Sequence, residues 1–136
     1  MSHYTTLTTR ITDTEALCGA LADVGYDDLE VYDQPQRLVG FQGDPRGDRA
    51  HVIIRRKHVG LASNDIGFLR QDSGTFLALI SEYDLGKHNE AWLGQVTARH
   101  AYRVTSKTLA TQGFDLVDEQ TERDGTVRMV LRRTQY

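Results

Sequence analysis

The sequence predicts an α+β fold: an antiparallel or mixed sheet of about seven strands with two main helices, the second about twice the length of the first. Three observations lead there. Short segments rich in β-branched and aromatic residues are bounded by turn-forming Gly, Pro and Asp. Only two longer stretches carry apolar residues at helical spacing, each closed by a glycine. And one phrase, Leu-Ala-x-x-Gly-aromatic-Asp, occurs from Leu21 and again from Leu109.

In chain order, "YTTLTTRI", residues 4–11, alternates and is rich in threonine, a first strand with Leu7 and Ile11 on one face. "TDTE" gives Thr12 and Glu15 the spacing of a capping box, and Leu17, Cys18, Leu21 and Val24 continue as a helical stripe. Gly25 ends that helix and Tyr26 folds back on its last turn. "LEVYD" and "RLVGFQ", separated by "QPQ", read as two strands, "GDPRGD" as a loop and "AHVIIRR" as a further strand. "DIGFLR" and "TFLALISEY" are two strands joined by the turn "QDSG". Phe76, Ala78 and Ile80 share one face of the second and Leu77 and Leu79 the other, so it belongs in the middle of a sheet. From Lys87 to Gln112 there is no proline and the only glycine is Gly94, which reads as one long helix or two joined near Tyr102. Trp92, Leu93, Val96 and Val104 form one apolar arc, and Ala91, Ala98, Tyr102 and Leu109 another, so the helix is covered on more than one side. "FDLVDEQTE" and "TVRMVLRR" close the chain as a hairpin through Asp124-Gly125.

The repeated phrase is then a helix end, its glycine cap and the first aromatic of a strand, so the chain holds two helix-then-hairpin units, 14–42 and 102–133. Either a duplicated unit within one domain, 1–136, or convergence of cap chemistry produces this pattern. Duplication places both hairpins in one sheet and buries Leu21 and Leu109 at equivalent positions.

Of the residues, 39% are hydrophobic and 26% charged, with two prolines, which describes an ordinary globular chain. "FLALI" is the longest apolar run and the start lacks an apolar signal core, so neither membrane insertion nor export is expected, and the setting is cytoplasmic or similar. Cys18 is alone, which precludes an intrachain disulfide. The net charge of −3 gives no general attraction to nucleic acid. The charges are segregated, however: seven acids and no base lie between Arg10 and Arg37, and Arg49, Arg55, Arg56 and Lys57 occur with no acid as far as Asn64.

No motif carries chemistry. "GFQGDPRG" lacks the lysine-serine ending of a phosphate loop. His3, His51, His58, His88 and His100 do not repeat a ligand spacing, and Ser63, Ser73, Ser81 and Ser106 lack an elbow motif, so no metal, cofactor or catalytic residue is expected. Two clusters remain. Asp65, Glu82 and Asp84 lie near the ends of the two middle strands, with Arg70 as a partner, and offer a small-ligand or enzymatic site. Arg55, Arg56 and Lys57 offer a contact for an acidic partner surface or, without interleaved aromatics, a weak nucleic-acid contact.

The segments "MSHYTTLTTRI", "DIGFLRQDSGTF" and "ARHAYRVTSKTLATQGFDLVDEQTERDGTVRMVLRR" resemble the family of hypothetical chloroplast reading frame thirty-five, also catalogued as domain of unknown function twelve fifty-seven. The resemblance spans nearly the whole chain and implies a small plastid-stromal or bacterial protein with no assigned catalytic residues. It also suggests an accessory role beside an AAA-type ATPase. Residues and resemblance together favour a non-catalytic accessory or adaptor protein that works through a protein partner or an assembly.

Overall fold

The computed structural model of the chain describes residues 3–133, which leaves Met1 and Ser2 of the opening segment outside it. Seven strands and two main helices appear: β1 (Tyr4–Thr8), α1 (Thr14–Asp23), β2 (Glu30–Val39), β3 (Pro45–Ile54), the single turn α2 (Arg56–Val59), β4 (Ile66–Arg70), β5 (Phe76–Ser81), α3 (Glu90–Thr111), β6 (Phe114–Thr121) and β7 (Val127–Arg133). Every strand pairing is antiparallel. The strands form a five-stranded sheet in the order β1-β5-β4-β3-β2 and a separate two-stranded sheet, β6-β7. The α+β class is as expected, and α3, with 22 residues against 10 for α1, has the expected length ratio.

The N-terminus of α1 is capped one residue later than the capping box foretold. Asp13, not Thr12, is the N-cap, and its Oδ1 accepts from Ala16 N–H at 2.8 Å. The carboxylate offers the helix a charged acceptor that favours its positive end. Glu15 is exposed, and the backbone N–H groups of Thr12 and Asp13 instead reach His100 Nε2, at 3.4 and 3.2 Å. At the other end, Gly25 at φ 105° donates its N–H to Ala22 O and Tyr26 donates to Leu21 O, the paired bonds of a Schellman closure. The second copy of the phrase behaves alike at Gly113, φ 86°, whose N–H donates to Ala110 O.

Register decides which face of the sheet each residue serves. Val31, Val52, Phe68, Ala78 and Leu7 lie in one row across the five strands, and Glu30, Ile53, Gly67, Leu79 and Thr6 in the next. Apart from the exposed Val31, the first row, with Ile54, Ile66, Phe76 and Ile80, builds the main core against Leu17, Ala20 and Leu21 of α1 and Leu93 and Val96 of α3. The second row faces away from the helices, and there Leu38, Ala50, Ile53 and Leu79 form a smaller buried cluster. β5 is therefore apolar on both faces and sits between β1 and β4, as expected.

What covers that second cluster corrects two expectations. "QPQ" is not a turn: residues 30–39 are one edge strand, interrupted by register shifts between Val31 and Gln36 and between Arg37 and Val39, with Pro35 inside the first. An edge strand has no partner for the N–H that proline lacks, so Pro35 is tolerated. Only the first two residues of "GDPRGD" belong to a loop. The turn lies at residues 40–44, where Gly40 N–H donates to Asp44 O and Gly43 takes φ 80°, and β3 begins at Pro45. The shifts bend the hairpin back over the sheet. Val39 N–H reaches Asp65 Oδ2 at 2.7 Å, Phe41 N–H reaches Asn64 Oδ1 at 3.1 Å, and the Arg46 guanidinium lies 5.3 Å from the Tyr4 ring centre on β1. Gly67 permits the close approach: a Cβ there would stand 2.5 Å from that of Ala50 and 3.0 Å from Leu38 Cδ2.

α3 is one unbroken helix whose buried stripe is Leu93, Val96 and His100. It packs on α1 and supports the β6-β7 hairpin, which is held through Arg99 to Glu119 at 3.4 Å and through Gly125 lying over Gln95 and Ala98. The repeat thus marks two helix ends, but the expected first unit is corrected: residues 14–42 hold a helix and one strand, and the hairpin that strand forms with β3 lies in a different sheet from β6-β7. Leu21 is fully buried while Leu109 is only half-buried, so the expected equivalence in burial does not hold.

Candidate functional site

Arg55 follows the last residue of β3, in a position to reach both β2 and the start of β4. Its Nε and Nη2 donate to Glu30 Oε2 and Oε1, each at 2.8 Å, and its Nη1 donates to Asp65 Oδ2 at 2.8 Å. The Arg55 guanidinium holds the Glu30 carboxyl at about 2, well below its ordinary range, with burial opposing and the Tyr32 hydroxyl, which also donates to Glu30, adding to it. The same bonds push the Arg55 pKa further up. Asp65 is wholly buried and fully used: Oδ1 accepts from Arg56 N–H at 2.7 Å, and Oδ2 from Val39 N–H and Arg55. The Tyr4 hydroxyl donates to its main-chain oxygen at 2.6 Å, and burial, with Asp65 close by, raises the Tyr4 pKa.

Beside this network opens a groove of about 1100 Å3 between β2, β3 and the α2 turn. Arg37, Arg49, Arg56 and Lys57 line it together with Leu61, which is fully solvent-exposed. Arg37 and Arg49 are brought together because they are register partners in the folded-back hairpin. Among the described residues, none of these four cations forms a salt bridge, although Lys57 acts at longer range on Glu30, and the groove's own carboxylates, Glu30 and Asp65, are both bound to Arg55. The result is a concave basic surface with an apolar lip.

Of the residues singled out in the sequence, Arg56 and Lys57 do line the groove. Arg55 is corrected: it is not a free surface cation but the centre of a half-buried ion-pair network, because Glu30 and Asp65 flank it. The second cluster does not assemble. Asp65 and Asp84 are buried. Asp84 Oδ2 accepts from Asn64 N–H at 3.0 Å and from the Ser81 hydroxyl at 2.7 Å, and so closes the turn after β5. Glu82 is exposed. Arg70 lies over the Phe76 ring at 5.1 Å, hydrogen-bonded to the Thr14 hydroxyl, and has no contact with Asp65 or Glu82. No group of three or more His, Cys, Asp or Glu able to hold a metal ion occurs among the described residues.

Two histidines gain roles that their scattered spacing did not signal. His100 completes the buried α3 stripe and receives the two N–H groups before α1, so its Nε2 carries no proton. His88, also buried, meets the Tyr26 hydroxyl at 2.6 Å through Nε2 and stands edge-on to Trp92, with ring centres 4.8 Å apart. Burial lowers both pKa values, against the pull of Asp13 on His100 and of Asp84 on His88, while Lys87 adds to the shift at His88. Cys18 is half-buried against the main core, and burial pushes its thiol pKa up.

The sequence model of a family described as "Protein of unknown function (DUF1257)" matches residues 20–130. The uncharacterized protein ycf35 of Cyanophora paradoxa is 26% identical over 137 residues, covering all of both chains. The uncharacterized protein ycf35 of Pyropia yezoensis is 22% identical over 142 residues, again over all of both. No solved structure matches. No helix among the described residues is long and apolar enough to cross a membrane.

Proposed function

The chain belongs to the DUF1257 family of proteins of unknown function, and for it we propose a non-catalytic accessory role in a cytoplasm or plastid stroma, exercised by docking an acidic surface of a partner protein into the basic groove. One observation carries this reading: Arg37, Arg49, Arg56 and Lys57 converge on a concave surface whose two carboxylates, Glu30 and Asp65, are already bound to Arg55. Cations held together in this way repel one another, a cost that an acidic surface brought opposite relieves. The exposed Leu61 on the lip adds an apolar contact that a partner would cover. The rival small-ligand site loses support because Asp65 and Asp84 are committed to structural hydrogen bonds and Arg70 and Glu82 lie apart from them.

The test is affinity purification of the tagged full chain from its own cells at low and high salt. It is run beside a variant carrying Arg49→Glu, Arg56→Glu and Lys57→Glu with Arg55 intact. The expected result is a stoichiometric protein retained at low salt, released at high salt and lost from the variant, whose melting curve is nearly unchanged. An AAA-type ATPase is the partner class to look for first. Equal retention by variant and wild type at both salts overturns the reading, and nuclease-sensitive material in place of protein moves the groove to nucleic acid.

A further inference from the structure

We propose that the free edge of β1 receives an extended segment of a partner protein as a sixth strand, seated in the gutter between β1 and α3. This surface is separate from the basic groove and does not rest on it. Four strands have an open edge: β1 and β2 in the large sheet, β6 and β7 in the small one. Three are guarded in the ways that discourage strand pairing. β2 carries Glu30, Asp33, Pro35 and Arg37 and is broken by register shifts. β6 carries Asp115, Asp118 and Glu119, and β7 carries Arg128, Arg132 and Arg133. β1, Tyr-Thr-Thr-Leu-Thr, holds neither charge nor proline and runs in unbroken register with β5.

The backbone geometry identifies the occupant as an extended main chain. Glu82 N–H donates to His3 O at 2.8 Å, and Tyr4 opposes Ser81, so the odd-numbered residues of β1 direct their N–H and C=O groups at β5. Those of Tyr4, Thr6 and Thr8 therefore point outward, and no strand of the described residues pairs with them. Side chains alternate in step: Leu7 stands on the helix face, where a gutter of about 630 Å3, walled further on by Asp124 and Thr126 of the β6-β7 turn, separates it from Leu93, Gly94 and Ala98 of α3. A strand added at this edge would drop alternate side chains into that space, and the small Gly94 and Ala98 leave room for apolar ones.

Charge supplies the direction. β5, whose Ser81 opposes Tyr4, leads into α3, and His100 of α3 meets Thr12 beyond the other end of β1, so helix and strand run alongside each other in the same sense. Glu90 thus stands at the Tyr4 end of the gutter and Arg10 at the far end, with Asp124 of the β6-β7 turn as a second acid on its wall. A segment that continues the antiparallel sheet enters beside Arg10 and leaves beside Glu90. The fitting sequence has an acidic residue first, apolar residues at alternate positions, and a basic residue last.

A phage-displayed library of short random peptides, panned on the full chain, tests this. The expected result is enrichment of sequences with that acid, alternating-apolar, base order. Synthetic peptides made from them should slow hydrogen exchange at the Thr6 and Thr8 amides and should bind the groove variant described above as tightly as the wild type. Thr8→Pro removes an outward N–H and should weaken binding at least about ten-fold. Gly94→Leu fills the gutter and should do the same with an unchanged or raised melting temperature, because a Cβ at Gly94 meets nothing within 4 Å and leucine is the better helix former. Failure to enrich any peptide overturns the proposal, as does enrichment of peptides that bind the Gly94→Leu protein as well as the wild type. A dimer dissolved by Thr8→Pro also overturns it, by assigning the edge to a second copy of the chain.

Discussion

Asp65 shows how one side chain sets the course of several segments. Its two oxygens receive Val39 of β2, Arg56 of the α2 turn and the Arg55 guanidinium, so it fixes the folded-back hairpin and the floor of the groove together. Asp65→Asn keeps the shape but loses the charge and sets donors against donors. It should cost about 3 kcal/mol in urea unfolding, at the low end for a buried pair because Arg55 keeps Glu30. In the sequence this residue is only an acid near a strand end, since nothing in linear spacing reports that three backbone segments will converge on it. His100 was equally illegible, a lone imidazole in an otherwise apolar arc. It gives a second prediction, in pH. Burial lowers the folded-state values of His88 and His100 below the ordinary 6.5, so the unfolded chain takes up protons first. Stability should then be level above about pH 6.5 and fall as the pH drops below it, flattening once the folded values are passed. His100→Phe should lose about 1 kcal/mol at neutral pH through the two unmet N–H groups and show a shallower acid decline in thermal melts.

Among the elements, those with local signals were legible: the helix ends at Gly25 and Gly113, the turn at Gly74 and the hairpin at Gly125 all take the positive φ angles that their glycines allow. The β2-β3 hairpin was not, because turn-forming residues at "QPQ" and "GDPRGD" act there as bulge and strand, a choice made by the apolar surface that the bent hairpin covers. That cover rests on Gly67. Gly67→Ala would force a methyl to 2.5 Å from Ala50 Cβ, and should destabilise by about 2 kcal/mol by lifting the hairpin from the sheet. Near-ultraviolet circular dichroism and denaturant midpoints check this, with Gly47→Ala as a control, since a Cβ there meets nothing within 4 Å.

At the scale of the whole molecule, the two sheets have unequal support. β6-β7 has only two strands and rests chiefly on α3, whereas the large sheet is sandwiched between the helices and its own hairpin. Two-stranded sheets are marginal alone. Amides of residues 114–133 should exchange with deuterium well before those of β4 and β5, and an order of exchange with the hairpin last would contradict this. The candidate groove was half legible: Arg56 and Lys57 are neighbours in sequence, while Arg37 and Arg49 join them only through register. The pairing of β1 has a different kind of consequence, in time. Tyr4 meets Ser81, so on a ribosome adding about 5–20 residues per second β1 emerges several seconds before its partner exists. For that interval an uncharged, threonine-rich strand is exposed on both edges. The nascent chain is therefore most open to misassociation at β1, and conditions that slow elongation between residues 9 and 75 should lower the yield of folded protein without changing the stability of what has folded.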